Sequence, residues 1–432
     1  MKKGKQKLDP LKEKVNNILN AMSVEEMLLK QDRMFNIMNH QLFIRPPQSV
    51  EDSYTFGWLR GLAMMTDTML DGKWYHWLLT NATGEIDIDS FPDTRITSDS
   101  TSGSMGEKML EECMKIIYSN GYRVNDFIEW IGYALGISWF EKPRLPEAIW
   151  NKLYQTFNLD LLLMEPADYL SNFVSVHGQS GHLDYYPTPM SITSMMNMMI
   201  SADNESRNCS QFEPCIGGAA MLLPSNSLNL IGVDLSLIMV KVASIQAFLY
   251  KPWMLYVPKP IVGVHADPQA LTINRYFEFN VDTRIYYGNS LLEEYRVPKH
   301  IFEENSEWID VYCHPLDLSK REIFKYEEDM MHPWESIPHD QKIKIVKAQA
   351  REIGWDTVTT NPPFNATLGK SAKAEMSNIE DSNRAFLEER KVRLAEYKKK
   401  NIIVEKIIQE VNIKISESKS KKVTQGQYEM VF

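Results

Sequence analysis

Apolar residues in the first 165 positions recur every three or four places. Between Leu8 and Met34 they fall at Leu11, Val15, Ile18, Leu19 and Met22 among lysines and glutamates, which predicts an amphipathic helix. Met105 to Tyr118 and Val124 to Leu135 repeat the spacing. The stretch from Ile86 to Gly106 breaks it with Asp, Ser, Thr and Gly and reads as a loop. Residues 1–170 are therefore expected to form a mostly helical N-terminal domain. Trp74, Tyr75, His76 and Trp77 make an aromatic cluster inside it, read as core packing, with nucleic-acid stacking as the lesser alternative.

From Asn172 the texture changes. A glycine-rich lead, Phe173 to His182, runs into Tyr186-Pro187-Thr188-Pro189 and then a methionine-rich helix from Ser191 to Ile200. Thr-Pro is ordinary helix-start chemistry, and Met190, Met195, Met196, Met198 and Met199 are expected to pack as core. Strand text comes next in short pieces. Leu230 to Leu235 is a brief apolar run ending at Asp234, and Thr283 to Leu291 ends in Gly288-Asn289-Ser290-Leu291. Trp355 to Thr360 stops at Asn361-Pro362-Pro363-Phe364. Strands of this kind, separated by longer connections, predict an α/β fold over residues 171–365, with an insertion near 292–354.

The chemistry concentrates at those strand ends. Two consecutive prolines cannot donate ladder hydrogen bonds, so the last strand must stop and its backbone stiffen. The four residues Asn361 to Phe364 then present an amide, free carbonyls and an aromatic face. The Asn361 oxygen and the Pro362 carbonyl can accept both protons of an exocyclic amine, while Phe364 stacks on the ring carrying it. A proline-terminated strand of any α/β protein is the alternative reading. Asp234, closing an apolar strand, is placed to accept hydrogen bonds from two ribose hydroxyls. Between these lies Glu213-Pro214-Cys215-Ile216-Gly217-Gly218-Ala219, a loop of small residues one strand–helix–strand unit before Asp234. Asn289 sits in a Gly-Asn pair that a simple turn would also explain.

In order, Tyr-x-Thr-Pro, Glu-Pro-x-x-Gly-Gly, Gly-Val-Asp, Gly-Asn-Ser-Leu and Asn-Pro-Pro-Phe resemble the N6-adenine-specific DNA methyltransferases. The likeness is greatest to the modification subunits of type I restriction systems, and it covers roughly residues 172–365. It implies a Rossmann-like, S-adenosylmethionine-dependent methyltransferase domain. By the resemblance, Tyr186 and Thr188 would hold the methionine end of that cofactor. Glu213 would contact its amino group, and Pro214, Gly217 and Gly218 would permit close backbone approach. Asp234 would hold the ribose and Asn289 the adenine, while Asn361, Pro362, Pro363 and Phe364 would form the catalytic motif. DNA is the implied partner, together with a specificity or partner subunit. Two departures stand out. Ala219 occupies a position where many members carry glycine. The text after Asn365 is helix-forming, whereas the family continues with further strands. The second departure supports an alternative in which the chain is a catalytically incomplete scaffold or binding subunit. A further rival is methylation of a glutamine amide in protein, which uses a related Asn-Pro-Pro motif.

Composition changes this picture little. The 432 residues carry a formal net charge of −10, 44% hydrophobic and 24% charged residues, as in an ordinary globular protein. A basic footprint for DNA would have to be local. The 366–432 tail, expected as a charged helical extension, is mildly basic, with 14 Lys and Arg against 10 Asp and Glu. Cys113, Cys209, Cys215 and Cys313 form no CxxC pair, and the histidines near Cys313-His314 fit no zinc spacing. No apolar run is long enough to span a membrane, and the basic N-terminus lacks a signal-peptide core. A reduced cytoplasmic protein without metal is expected.

Overall fold

The computed structural model describes residues 10–40, 42–83, 91–98, 104–178, 186–200, 207, 209–255, 283–298, 308–310, 355–361 and scattered positions between 373 and 406. Its first part is helical, as the apolar spacing predicts. The long segment beginning near Leu8 folds as two helices, α1 (Pro10–Ala21) and α2 (Val24–Met38). The break falls at Ser23, whose hydroxyl accepts from Glu26 N at 3.1 Å and caps α2. Among the described residues seven more helices follow in this part: α3 (Arg60–Leu70), α4 (Lys73–Thr83), α5 (Met105–Ser119), α6 (Val124–Leu135), α7 (Glu147–Thr156), α8 (Asp160–Met164) and α9 (Leu170–His177). Trp74 and Trp77 are buried, so the aromatic cluster serves packing. Of the expected loop, residues 91–98 and Ser104 form neither helix nor strand, whereas Met105 and Gly106 already belong to α5. Residues 91–98 are nonetheless anchored, since Ile96 N donates to Leu223 O at 3.0 Å.

Beyond α9 the described residues form a six-stranded, mostly parallel sheet in a mixed α/β arrangement. Its strands are β1 (Ser210–Glu213), β2 (Asn229–Asp234), β3 (Ile285–Tyr287), β4 (Arg296–Pro298), β5 (Trp308–Asp310) and β6 (Thr357–Val358). They lie in the order β5-β4-β3-β2-β1-β6. The pairs β1–β2, β2–β3 and β1–β6 are parallel, whereas β3–β4 and β4–β5 are antiparallel. Five strands, β1, β2, β3, β5 and β6, therefore direct their carboxyl ends to one edge, and β4 runs against them. Every residue of β1 is buried, as expected for a parallel strand covered on both faces. Two strands, β4 and β5, come from the stretch read as an insertion and extend the sheet on the far side of β3.

Two helices flank the sheet sequence. α11 (Leu237–Tyr250) comes after β2 and has eleven buried residues out of fourteen. α10 (Met190–Ile200) precedes β1 and corrects an expectation. Met190 is buried, but Met195, Met198 and Met199 are 52%, 67% and 75% exposed. The inward face of α10 is instead polar: Thr193 and Asn197, four residues apart, are both buried. Asn197 Nδ2 donates to Met221 O at 2.8 Å, which gives that carbonyl a partner the methionines could not supply. Of the lead before it, residues up to His177 form α9 with Phe173 and Val174 buried, while residues 179–182 lie outside the described residues.

Helices and sheet share one buried apolar cluster. α6 packs against α11. Trp74 Nε1 donates to Phe248 O at 3.1 Å, and the Tyr250 hydroxyl to Leu162 O at 3.0 Å. The ammonium of Lys251 is fully enclosed and donates to the Thr94 carbonyl and hydroxyl and to Ser225 O. Burial holds its pKa well below the ordinary lysine value. Described positions such as Glu388, Val392 and Lys399 are helical and exposed, in keeping with the expected charged tail. Among the described residues, no helix is long and apolar enough to cross a membrane.

Candidate active site

The strand order reverses at β1: the chain builds β2 and β3 on one side of it, then returns to add β6 on the other. In open α/β sheets such a reversal leaves a crevice at the strands' carboxyl ends, because the connecting segments diverge there. Here the edge carries Glu213 at the end of β1, Asp234 at the end of β2, Asn289 after β3 and Asn361 after β6.

Glu213 has no exposed surface. Its Oε1 accepts from Cys215 N at 3.2 Å, while Oε2 is buried with no hydrogen bond formed. Burial pushes the carboxyl pKa up to about 8, and the negative charge of Asp234 adds to the rise. The Thr360 hydroxyl and the Cys215 N–H act in the opposite direction. An acid so placed calls for a cation or a donor, because leaving a buried acceptor unmet costs roughly 1–3 kcal/mol.

Asp234 plays a part in the loop that its expected ribose role does not mention. Its Oδ2 accepts from Gly217 N at 2.8 Å and Oδ1 from Ser236 N at 2.7 Å. Burial raises its pKa too, opposed by those backbone donors. A carboxylate has about four lone-pair sites, and the Leu235 N–H also engages it, so part of its acceptor capacity remains for a ligand. The loop from Pro214 to Ala219 is thus tied to β2 at both levels, since Ile216 N also donates to Val233 O at 2.9 Å. A Cβ at Gly232 would collide with the Ile216 side chain, which explains the glycine in β2. Gly217 and Ala219 both have positive φ, 52° and 73°. The latter is left-handed backbone on an alanine, at the position where the resemblance leads one to expect glycine. Gln246 on α11 donates to Gly218 O and holds the loop from below.

Asn289 is half-buried, and its side-chain oxygen accepts from Leu291 N at 3.1 Å, capping the short turn Ser290–Leu292. Ser290 Oγ donates to Pro214 O at 3.0 Å, so the loops after β3 and β1 are joined. At β6 the contacts are denser than a two-residue strand suggests. Ser210 N donates to Asp356 Oδ2 at 2.7 Å, and Thr359 N to Phe212 O at 3.0 Å. The rings of Phe212 and Trp355 stack at 4.7 Å. Gln211 Nε2 reaches Thr359 Oγ1 at 3.0 Å and Asn197 Oδ1 at 3.4 Å, linking α10, β1 and β6.

Asn361 then meets the Tyr-x-Thr-Pro segment. Its Nδ2 donates to Thr188 Oγ1 at 2.8 Å and lies 3.5 Å from Tyr186 O. The structure therefore brings together Glu213, Pro214, Gly217, Gly218, Asp234 and Asn289 on one side, and Asn361, Thr188 and Tyr186 on the other. Pro362, Pro363 and Phe364 lie outside the described residues. So do Cys313, His314 and the later histidines. Among the described residues, no three His, Cys, Asp or Glu side chains gather as a metal site.

Comparison of the chain with protein-family models, curated proteins and solved structures returns no match. The site rests on its own geometry. Sequence reasoning missed Thr360, Gln211 and Ser290, which shape it. Threonine and serine in β-prone text carry no mark of their own, and only the strand pairing shows what they face.

Proposed function

We propose that the chain is a Rossmann-like, S-adenosylmethionine-dependent DNA methyltransferase acting on N6 of adenine. One observation carries the reading. Asn361 stands at the carboxyl end of β6, across the strand-order reversal from two acids, Glu213 and Asp234, at the ends of β1 and β2. That is one wall for a base amine and one for a nucleoside bearing a positive amino group.

The residues present fit this cofactor. The unmet Oε2 of Glu213 suits an ammonium, Asp234 has acceptor capacity left for ribose hydroxyls, and the Gly217–Ala219 backbone leaves room for close approach. When bound, S-adenosylmethionine supplies an electrophilic methyl group. The chain's own residues have the work of binding and orientation. The target adenine must leave the duplex to reach them. The Asn361 oxygen and the Pro362 carbonyl accept from its N6 amine, and Phe364 stacks on its ring. Hydrogen bonds from both N–H groups to these acceptors would hold the nitrogen lone pair toward the bound methyl group, and the proton the amine sheds on methylation would pass to water, so the site contributes position and charge stabilisation without a covalent intermediate. DNA is the substrate, and a specificity subunit is the partner that would choose the sequence.

Incubating the purified chain with labelled cofactor and DNA, and with protein substrates in parallel, tests this. Label in N6-methyladenine is expected, lost in Asn361→Ala while calorimetry shows unchanged cofactor affinity. Undiminished transfer by a folded Asn361→Ala protein would sink the mechanism. A wild-type chain that binds cofactor yet never labels DNA would favour the scaffold alternative.

A further inference from the structure

The contact between Asn361 and Thr188 gives Thr188 a role different from the cofactor contact expected for it. We infer that Thr188 is a positioning residue that acts through Asn361, holding the side-chain amide so that its oxygen faces the target amine; this rests on the methyltransferase reading above. Three observations support it. First, the amide nitrogen is the atom committed to α10's approach: Nδ2 is 2.8 Å from the Thr188 hydroxyl and 3.5 Å from the Tyr186 carbonyl. A backbone carbonyl only accepts, so the nitrogen must point that way and the oxygen must point elsewhere. Without such a tether an amide rotates, and half its orientations would present a donor to an amine that needs an acceptor.

Second, Thr188 is itself held. It stands two residues before α10, whose first turn closes on Pro189 O through Ile192 N at 2.9 Å and Thr193 N at 3.1 Å. Third, α10 and β6 are coupled again, deeper in the protein. Asn197 on α10 and Thr359, two residues before Asn361, both bond to the Gln211 amide on β1. The start of α10 and the end of β6 are therefore registered at two points, one buried and one at the site. A shift of α10 would be felt at Asn361.

The test uses the full chain and three variants: Thr188→Val, Thr188→Ser and Asn361→Ala. Valine keeps the shape and the β-branch but removes the acceptor; serine keeps the acceptor. Expected for Thr188→Val is a fall in kcat of about tenfold, the worth of one hydrogen bond, with cofactor Kd and the KM for DNA unchanged. Thr188→Ser should restore most of the rate. A Thr188→Val protein that loses cofactor affinity but keeps kcat at saturating cofactor would overturn the inference and return Thr188 to the cofactor. A melting cycle supplies a readout that needs no activity. If the tie exists, the Thr188→Val/Asn361→Ala double variant melts no lower than the less stable single variant, whereas additive losses would refute the tie. Absence of methyl transfer by the wild-type chain would defeat the methyltransferase reading instead, and the melting cycle would still decide the contact.

Discussion

Glu213 is a carboxyl whose burial favours the protonated form. Its pKa rises from 4.5 to about 8 on burial. The folded state therefore holds a proton that the unfolded chain releases between those values, and stability falls as pH rises from about 5 to 8. Glu213→Gln should remove that slope, which melting curves across this range would reveal. Cofactor binding runs the other way. A positive amino group selects the carboxylate, so affinity should climb with pH until about 8 and then level off. Calorimetry near neutrality in buffers of different ionisation heat should detect proton release, abolished in Glu213→Gln; affinity independent of pH would refute the pairing. At Asp234 the expectation is divided. Asp234→Ala removes ligand acceptors and the Gly217 anchor together, and should weaken cofactor binding by roughly 1–3 kcal/mol. Asp234→Asn, which keeps one acceptor oxygen, should lose less. Unchanged affinity in a folded Asp234→Ala protein would leave it a turn residue only. Asp234 was legible in the sequence as an acid closing an apolar strand, whereas Glu213 was marked only by the Glu-Pro-x-x-Gly resemblance, because β1 (Ser210–Glu213) has no apolar run to announce it. The burial of the two acids was not legible, because it depends on the strands and loops that enclose them.

Elements were legible where one face meets water. α5 and α6 carry a stripe, and the sequence spacing predicts both within a residue of their observed bounds. α11 was invisible for the opposite reason: a helix buried nearly all round has no polar face to set a period. α10 misled, because hydrophobicity assigned its methionines inward while the partner surface, the Gln211 amide and the Met221 carbonyl, is polar. Each helix face can be checked by substitution. Met198→Gln and Met199→Gln, at exposed sites, should change stability by less than about 0.5 kcal/mol. Asn197→Ala strands the Met221 carbonyl and should cost roughly 1–3 kcal/mol in urea titration. If the methionine variants prove the costlier, α10 packs by its apolar side. Ala219 shows competing terms in the loop. Left-handed backbone costs alanine roughly 1–2 kcal/mol, but glycine would lose a buried methyl worth about 0.8 kcal/mol and gain unfolded-chain freedom worth about 0.4–1 kcal/mol. Ala219→Gly should therefore be near neutral, whereas the β-branched Ala219→Val should be sharply destabilising.

At the scale of the whole molecule, helices and sheet stand or fall together. Trp74 reaches from α4 to the Phe248 carbonyl on α11, Tyr250 reaches back to Leu162, and Lys251 ties residue 94 to the loop after β1. Trp74→Ala should lower stability by roughly 3–5 kcal/mol and shift one melting transition. Two separate transitions, only one of them moved, would contradict a shared core. Sequence reasoning saw a change of texture near Asn172 but not this continuity, which depends on side chains paired across 88 to 174 residues of chain. The shared core also bears on how the molecule could be taken apart. A chain divided at Gly178 and expressed as two polypeptides should behave as a split protein. Neither piece would be soluble alone, because each would expose the surface the other covers, and co-expression should restore a complex that copurifies through a tag on either half.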